Sequence, residues 1–206
     1  MEKLNTGMRK DIVIATHNEG KMIEFRRMLE PLGFNVLSLR DIGLRPEAEE
    51  NGTTFAENSL IKAHDIAGRA KGYAVIADDS GLEIHALDGF PGIRSARFME
   101  GHPYSEKCKE IIHRLENKED RSADFVSAVS LVSYDGEDHV FIGQTDGYIT
   151  KEIKGEGGFG YDPIFFSPEL NKTFGEATGE EKDKVSHRSR ALRKLEDYIR
   201  LHPRTE

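Results

Sequence analysis

The sequence predicts an α/β protein built on a mixed β-sheet. In the first half, short apolar strand-like runs alternate with segments of helical period, whereas the second half is rich in hairpin signals. Size is consistent with this. At 206 residues, 37% hydrophobic and 32% charged, the chain supports one sizeable core, as a single large domain or two small lobes.

Composition narrows the function classes. A net charge of -8 argues against a broad nucleic-acid-binding surface and leaves room for a local basic pocket. The single cysteine, Cys108, excludes an internal disulfide and suits a reducing compartment. No apolar run approaches the roughly 20 residues of a membrane span. Residues 1–10 are polar and lack a signal-peptide core, so they are expected to form a flexible lead-in to a cytoplasmic protein.

Asp11 to Thr16 is an apolar run of strand length. The polar loop His17-Asn18-Glu19-Gly20-Lys21 follows, then Met22, Phe25, Leu29 and Leu32 at helical spacing, with Gly33 as a C-cap. Strand, polar loop and helix in this order make an anion-binding context, because helix N-terminal amides attract negative charge. Gly20-Lys21 looks like the tail of a P-loop, but the first glycine is absent and Met22 stands where Ser or Thr is required. A capping Asn18 and a solvated Lys21 explain the local pattern equally well.

Phe34 to Leu39 alternates and predicts a second strand. Arg40 to Gly52 is a polar loop holding Glu47, Glu49 and Glu50, a kind of cluster that is usually only solvated. Thr54-Phe55-Ala56-Glu57 has capping-box form and opens a helix to about Gly72. Leu60, Ala63 and Ala67 fit its buried stripe, and Lys62 lies two turns past the cap.

Tyr73 to Ala77 reads as a buried strand running into Asp78-Asp79-Ser80-Gly81. The acidic pair is expected at the strand's C-terminal end, where open α/β sheets place ligands. Adjacent carboxylates beside a low-dielectric core repel each other unless a proton or a cation offsets them. Mg²⁺, which takes oxygen ligands, is the natural cation. A polar strand end with an Asp-Ser-Gly turn is the competing reading.

Pro103 starts a further helix, with Cys108, Ile111, Ile112 and Leu115 on one face, which makes Cys108 a core filler. Phe125 to Tyr134 and Asp138 to Ile149 are β-like runs joined at Asp135-Gly136, a hairpin signal. Gly155 to Gly160 matches G-x-G-x-x-G, but Tyr161-Asp162-Pro163 and an apolar strand follow instead of a helix, so the dinucleotide reading fails. A glycine-rich loop presenting Phe159 suits a planar ligand on which an aromatic face can stack. The last helix begins near Gly179 to Lys182, buries Val185, Leu192, Leu195 and Ile199, and is interrupted by Ser186-His187-Arg188.

Five of these stretches come in a fixed order: Thr16 to Lys21, Thr54 to Asn58 with Lys62-Ala63, Ala77 to Leu82, Phe159 to Pro163, and Ser186 to Arg188. Together they resemble the non-canonical purine nucleoside triphosphate pyrophosphatases, also called inosine triphosphate pyrophosphatases, from about Ile12 to Leu195. His17 departs from the glycine common in that family. The resemblance implies an elongated α/β fold, with a long curved mixed sheet flanked by helices and two lobes around a central cleft within residues 11–206. It further implies a homodimer, Mg²⁺ dependence, and cleavage of ITP, dITP and XTP to monophosphate and pyrophosphate, without nucleic-acid or membrane partners. By the same resemblance the loop Thr16, His17, Asn18, Glu19, Gly20 and Lys21 binds substrate, with Thr16, Asn18 and Lys21 on the triphosphate. Lys62 and Lys182 add positive charge. Asp79 is metal ligand and general base, Glu50 is a second ligand, and Lys21 and Lys62 act in catalysis. Ser80 touches the substrate, Phe159, Gly160, Tyr161 and Asp162 hold the base, and His187 and Arg188 read its edge.

Two other readings compete. A phosphomonoesterase could be built on Asp78-Asp79, but that chemistry wants its nucleophile after the first strand, where this chain has Thr16-His17-Asn18. A non-catalytic nucleotide sensor is opposed by the presence of both Glu50 and Asp79.

Overall fold

A computed structural model describes residues 11–202; the expected lead-in, 1–10, lies outside the described residues. In chain order the elements are β1 (Asp11–Ile14), α1 (Glu19–Leu29), β2 (Asn35–Ser38), α2 (Phe55–Arg69), β3 (Ala74–Ile84), β4 (Phe90–Pro91), α3 (Tyr104–Arg114), β5 (Ser122–Val132), β6 (His139–Ile149), β7 (Phe165–Ser167), β8 (Lys172–Thr173), α4 (Gly179–Val185) and α5 (His187–Leu201). The strands form one sheet in the order β2-β1-β3-β5-β6-β7-β8, with β4 on β3. It is mixed: β1 runs parallel to β2 and β3, whereas β3–β4, β6–β7 and β7–β8 are antiparallel.

The chain divides into two compact units. The first contains residues up to Asp79, Ala128–Ile142 and those from Ser189 onward. On one face of its strands, Ile12, Ile14, Ile76, Val129 and Leu131 pack with Met22, Phe25 and Leu29 of α1 and with Leu192, Leu195 and Ile199 of α5. The alternate residues Val13, Val75, Ala77 and Val132 pack with Ala63 and Ile66 of α2. Burial on both faces explains why β1 is a continuous apolar run. The second unit comprises Ser80–Ser127 and Gly143–Arg188. Its core joins Leu82, Ile84, Cys108, Ile111, Leu115, Phe125, Phe165 and Phe174.

Three local expectations need correction. Strand β3 does not end at the acidic pair: it continues through Ser80 and Gly81 to Ile84, so Asp78 and Asp79 sit in mid-strand. The reason is that Leu82 and Ile84 are core residues, and that Glu83 and Ile84 pair with Pro91 and Phe90 of β4. The capping box at α2 is half formed. Thr54 accepts from the Glu57 amide, but Glu57 Oε2 reaches one residue further back and accepts from the Thr53 amide at 2.6 Å. A complete box opens α4 instead, between Thr178 and Glu181. Finally, β5 and β6 are joined by residues 133–138, not by a tight turn at Asp135-Gly136 alone, with Ser133 and Gly136 at φ 61° and 96°.

Candidate active site

In the first unit the chain leaves β1 through a preformed loop. Thr16 Oγ1 accepts from the Asn18 amide at 3.1 Å, and Asn18 Oδ1 caps α1 by accepting from the Lys21 amide at 3.0 Å. Side chains 17–19 are exposed. A hollow of about 230 Å³ opens beside the loop, lined by Thr16, His17, Glu19, Arg26, Ser38 and Arg40 among others. The Lys21 side chain turns back to β3, where its Nζ lies 2.7 Å from Asp78 Oδ2. Asp78 is fully buried, so this pairing offsets a charge that has no access to water.

Successive residues of a strand point to opposite faces, and Asp79 has a different partner. Lys62, from α2, places Nζ 2.9 Å from Asp79 Oδ1 and 3.5 Å from Glu50 Oε2. Asp79 Oδ2 is buried and has no hydrogen-bond partner among the described residues. Burial pushes the Asp79 carboxyl above its usual range against the pull of Lys62 and Lys21, and Glu50 adds to the upward push. One carboxylate oxygen of the site is therefore buried and unsatisfied.

That arrangement fits a hard divalent cation. Mg²⁺ keeps several waters and is typically held by one or two carboxylates together with substrate phosphates, not by an all-protein cage. Among the described residues no group of three or more His, Cys, Asp or Glu is placed to hold a metal. Asp79 and Glu50 would supply the carboxylates and leave the other positions to water and phosphate.

The second unit begins at Ser80, next to Asp79 on β3. Arg188 is 1% exposed and donates from Nη2 to Ser80 Oγ at 2.9 Å. It reaches this place because Ser186 is extended (ψ 154°), separating α4 from α5. The glycine-rich loop is tied by Asp162, whose Oδ2 accepts from the Phe159 amide at 2.8 Å and pairs with Lys182 Nζ at 2.6 Å. Gly158 is required there: it has φ +69°, and a Cβ would stand 2.1 Å from Asp162 Oδ2. The Lys182 ammonium and the Arg188 guanidinium lie 4.6 and 5.7 Å from the centre of the Phe159 ring. Tyr161 donates its hydroxyl to Ser95 O at 2.8 Å, and His187 stacks on Phe125.

Thus the expected residues fall into two groups. Thr16, His17, Asn18, Glu19, Gly20, Lys21, Glu50, Lys62 and Asp79 belong to the first unit; Ser80, Phe159, Gly160, Tyr161, Asp162, Lys182, His187 and Arg188 belong to the second. Lys182 is matched to Asp162 within the second group. Two features escaped the sequence reading. Asp78 is the partner of Lys21, and Lys107 is a buried cation four residues before Ile111, on the buried stripe of α3. The sequence signal for Lys107 is that stripe, which extends one residue to the N-terminal side of Cys108.

A mixed sheet flanked by helices, with two lysine-paired carboxylates in mid-strand, defines an α/β protein. The particular family follows from sequence comparison: the chain belongs to the Ham1 family, whose model matches residues 12–198. It is 47% identical over 189 residues to a dITP/XTP pyrophosphatase of Bacillus licheniformis, covering 90% of this chain and 96% of the relative. It is 46% identical over 190 residues to the Bacillus subtilis protein of the same name, covering 90% and 95%. Among solved structures, the Staphylococcus aureus Ham1 protein matches with a TM-score of 0.81 at 39% identity, over 92% of this chain and 97% of that one. A Mycobacterium abscessus nucleoside-triphosphatase / dITP/XTP pyrophosphatase matches with a TM-score of 0.70 at 41% identity, over 90% and 98%.

Proposed function

We propose that this chain hydrolyses non-canonical purine nucleoside triphosphates, dITP, XTP and ITP, to the monophosphate and pyrophosphate. The observation that carries the reading is the buried, unpartnered Oδ2 of Asp79 beside Lys62 and Glu50. Family membership and the names of the relatives at 46–47% identity support the same substrate class.

In this reading Thr16, Asn18, Lys21 and Lys62 receive the triphosphate, because phosphoryl chemistry asks a protein mainly for positioning and charge neutralisation. Asp79 and Glu50 would hold Mg²⁺, which when bound neutralises phosphate charge and polarises the phosphorus centre. Water attacks the α-phosphorus, the bond to the bridging oxygen of the β-phosphate breaks, and pyrophosphate leaves. Asp79 orients that water and accepts its proton. Phe159 stacks on the base, held in place by Asp162, and Arg188 donates to the keto oxygen at purine position 6. His187 supports that edge from its stack on Phe125.

The same proposal takes residues 11–206 as one working domain and the protein as cytoplasmic; no described helix is long and apolar enough to cross a membrane. It also takes the protein as a homodimer. Exposed Tyr148, stacked on Phe166 at 4.6 Å, offers apolar surface for such an assembly, which sedimentation would test.

The central test is a nucleotide panel with product identification, with and without Mg²⁺. Pyrophosphate released from dITP and XTP, and lost with chelator, is the expected result. Orthophosphate as first product would point to a phosphomonoesterase, and binding without turnover to a sensor.

A further inference from the structure

Lys107 carries a charge that the second unit does not neutralise. It is 4% exposed, and its ammonium donates to Ala96 O at 2.9 Å and lies 4.7 Å from the centre of the Tyr104 ring. No carboxylate pairs with it among the described residues. Burying an ammonium without an anionic partner is costly, and an ordinary core position would carry an apolar residue instead.

Its surroundings connect it to the loop proposed to hold the base. Tyr104 meets Tyr161 edge to face at 5.3 Å. Tyr161 donates to Ser95 O, one residue before the carbonyl that Lys107 uses. Cys108 Sγ lies 3.7 Å from Gly160 O. Three titratable groups near Lys107 are neutral near pH 7: burial pushes the Cys108 thiol up to about 12 and raises Tyr104 and Tyr161 above the usual phenol value, whereas Glu106 pairs with His102. Asp162 is already matched to Lys182. The Lys107 ammonium thus rests on a carbonyl and an aromatic face, with no anionic partner among the described residues.

We propose that Lys107 is a specificity residue that favours an anionic purine base, so that XTP is preferred over dITP. Xanthine has oxo groups at positions 2 and 6 and loses a ring proton close to neutrality, whereas hypoxanthine stays neutral. A buried ammonium attracts the ionised base through a medium of lower dielectric than water, and it discriminates by charge without having to touch a particular ring atom. This inference rests on the proposed nucleotide pyrophosphatase reading.

The test measures pyrophosphate release from XTP and dITP by the full-length protein, the Lys107→Met variant, which keeps most of the side-chain volume, and Lys107→Arg, which keeps the charge. In the unmodified protein the XTP-to-dITP ratio of kcat/KM should rise as pH is raised through the ionisation of xanthine. In Lys107→Met that ratio should fall by about tenfold and lose its pH dependence, mostly through KM. Lys107→Arg should restore both. Equal loss on the two substrates, or an unchanged ratio in a folded Lys107→Met protein, would overturn the inference and leave Lys107 as a structural tie to Ala96. If Lys107→Met does not fold, the decision passes to the unmodified protein and Lys107→Arg, where a ratio that does not rise with pH refutes the idea. Absence of pyrophosphate from either nucleotide with the unmodified protein would instead remove the underlying enzymatic reading.

Discussion

One ammonium serves two carboxylates: Lys62 Nζ lies 2.9 Å from Asp79 Oδ1 and 3.5 Å from Glu50 Oε2, while Asp79 Oδ2 is buried with no hydrogen bond. A fold optimised only for stability would not leave that oxygen unmet. Sites that bind a cation or a reacting water do so routinely.

Asp79→Asn separates stability from function. The folded-state pKa of Asp79 is raised, chiefly by burial. Its protonated form therefore favours the fold at acid pH, and that contribution is lost as pH rises through the raised value. Near neutrality the charge is a liability, so the neutral asparagine should leave Tm unchanged or higher. Mg²⁺ should raise Tm of the unmodified protein but not of the variant, by the linkage of a ligand that binds only the folded state. Turnover should fall by about 10²-fold or more. A variant that melts lower but still responds to Mg²⁺ would show that Asp79 is a structural group.

Lys21→Met probes the other carboxylate. It removes the ammonium 2.7 Å from an Asp78 side chain that has no access to water. Breaking a buried pair in this way costs ~3 kcal/mol, visible as a lowered denaturant midpoint. The double variant Lys21→Met/Asp78→Asn should recover most of that loss without recovering activity, because Lys21 is also assigned to the triphosphate. Full recovery of activity would limit Lys21 to a structural role.

Much of the fold was legible because each signal was local. Asn18 and Thr54 cap their helices where Asx and hydroxyl chemistry predicts, and the break at Ser186 coincides with the polar interruption of the last apolar stripe. What escaped reading was set by tertiary pairing. Nothing local distinguishes a strand that stops at Asp79 from one that continues, because the continuation depends on β4 and on the core around Leu82 and Ile84. Likewise, the mutual assignment of Lys21 to Asp78 and of Lys182 to Asp162 joins residues 57 and 20 positions apart, which periodicity cannot report.

His85 gives a pH dependence away from the proposed chemistry. Its Nε2 lies 2.8 Å from Asp124 Oδ2, and its Nδ1 lies 2.8 Å from Ser122 Oγ, which also donates to Asp120 Oδ1. The hydrogen bond to Asp124 is the main cause that raises the His85 pKa above 6.5; Asp120 and Glu83 add to it. A raised histidine pKa means that the imidazolium stabilises the fold at pH below the unfolded value, and that this contribution is lost as pH rises through the folded one. Unfolding midpoints should therefore drift down across that window, and less so in His85→Gln. An NMR titration giving His85 a pKa at or below 6.5 would refute the assignment.

The last prediction concerns selectivity for the keto purines. Arg188 is fully buried, and its side chain is directed at Ser80 Oγ, with the face of Phe159 5.7 Å away. A guanidinium can only donate hydrogen bonds and keeps its proton in a protein. Hypoxanthine and xanthine present an acceptor at purine position 6, whereas adenine presents an amino group, so ATP would set donor against donor. Sites built on such hydrogen bonds can discriminate by ~10⁴ or more, because buried polar groups go unpaired with the wrong ligand. Arg188→Met keeps most of the bulk and removes the donors. It should lower kcat/KM for ITP by about 10²-fold or more, an estimate for the loss of charged hydrogen bonds. ATP hydrolysis, expected to be poor from the start, should change far less, so the expected preference for ITP shrinks. Ser80→Ala should have a smaller effect in the same direction, since it frees the guanidinium from its hydroxyl partner without removing it. A parallel loss on ITP and ATP in a variant of unchanged Tm would show that Arg188 serves the phosphates and does not read the base.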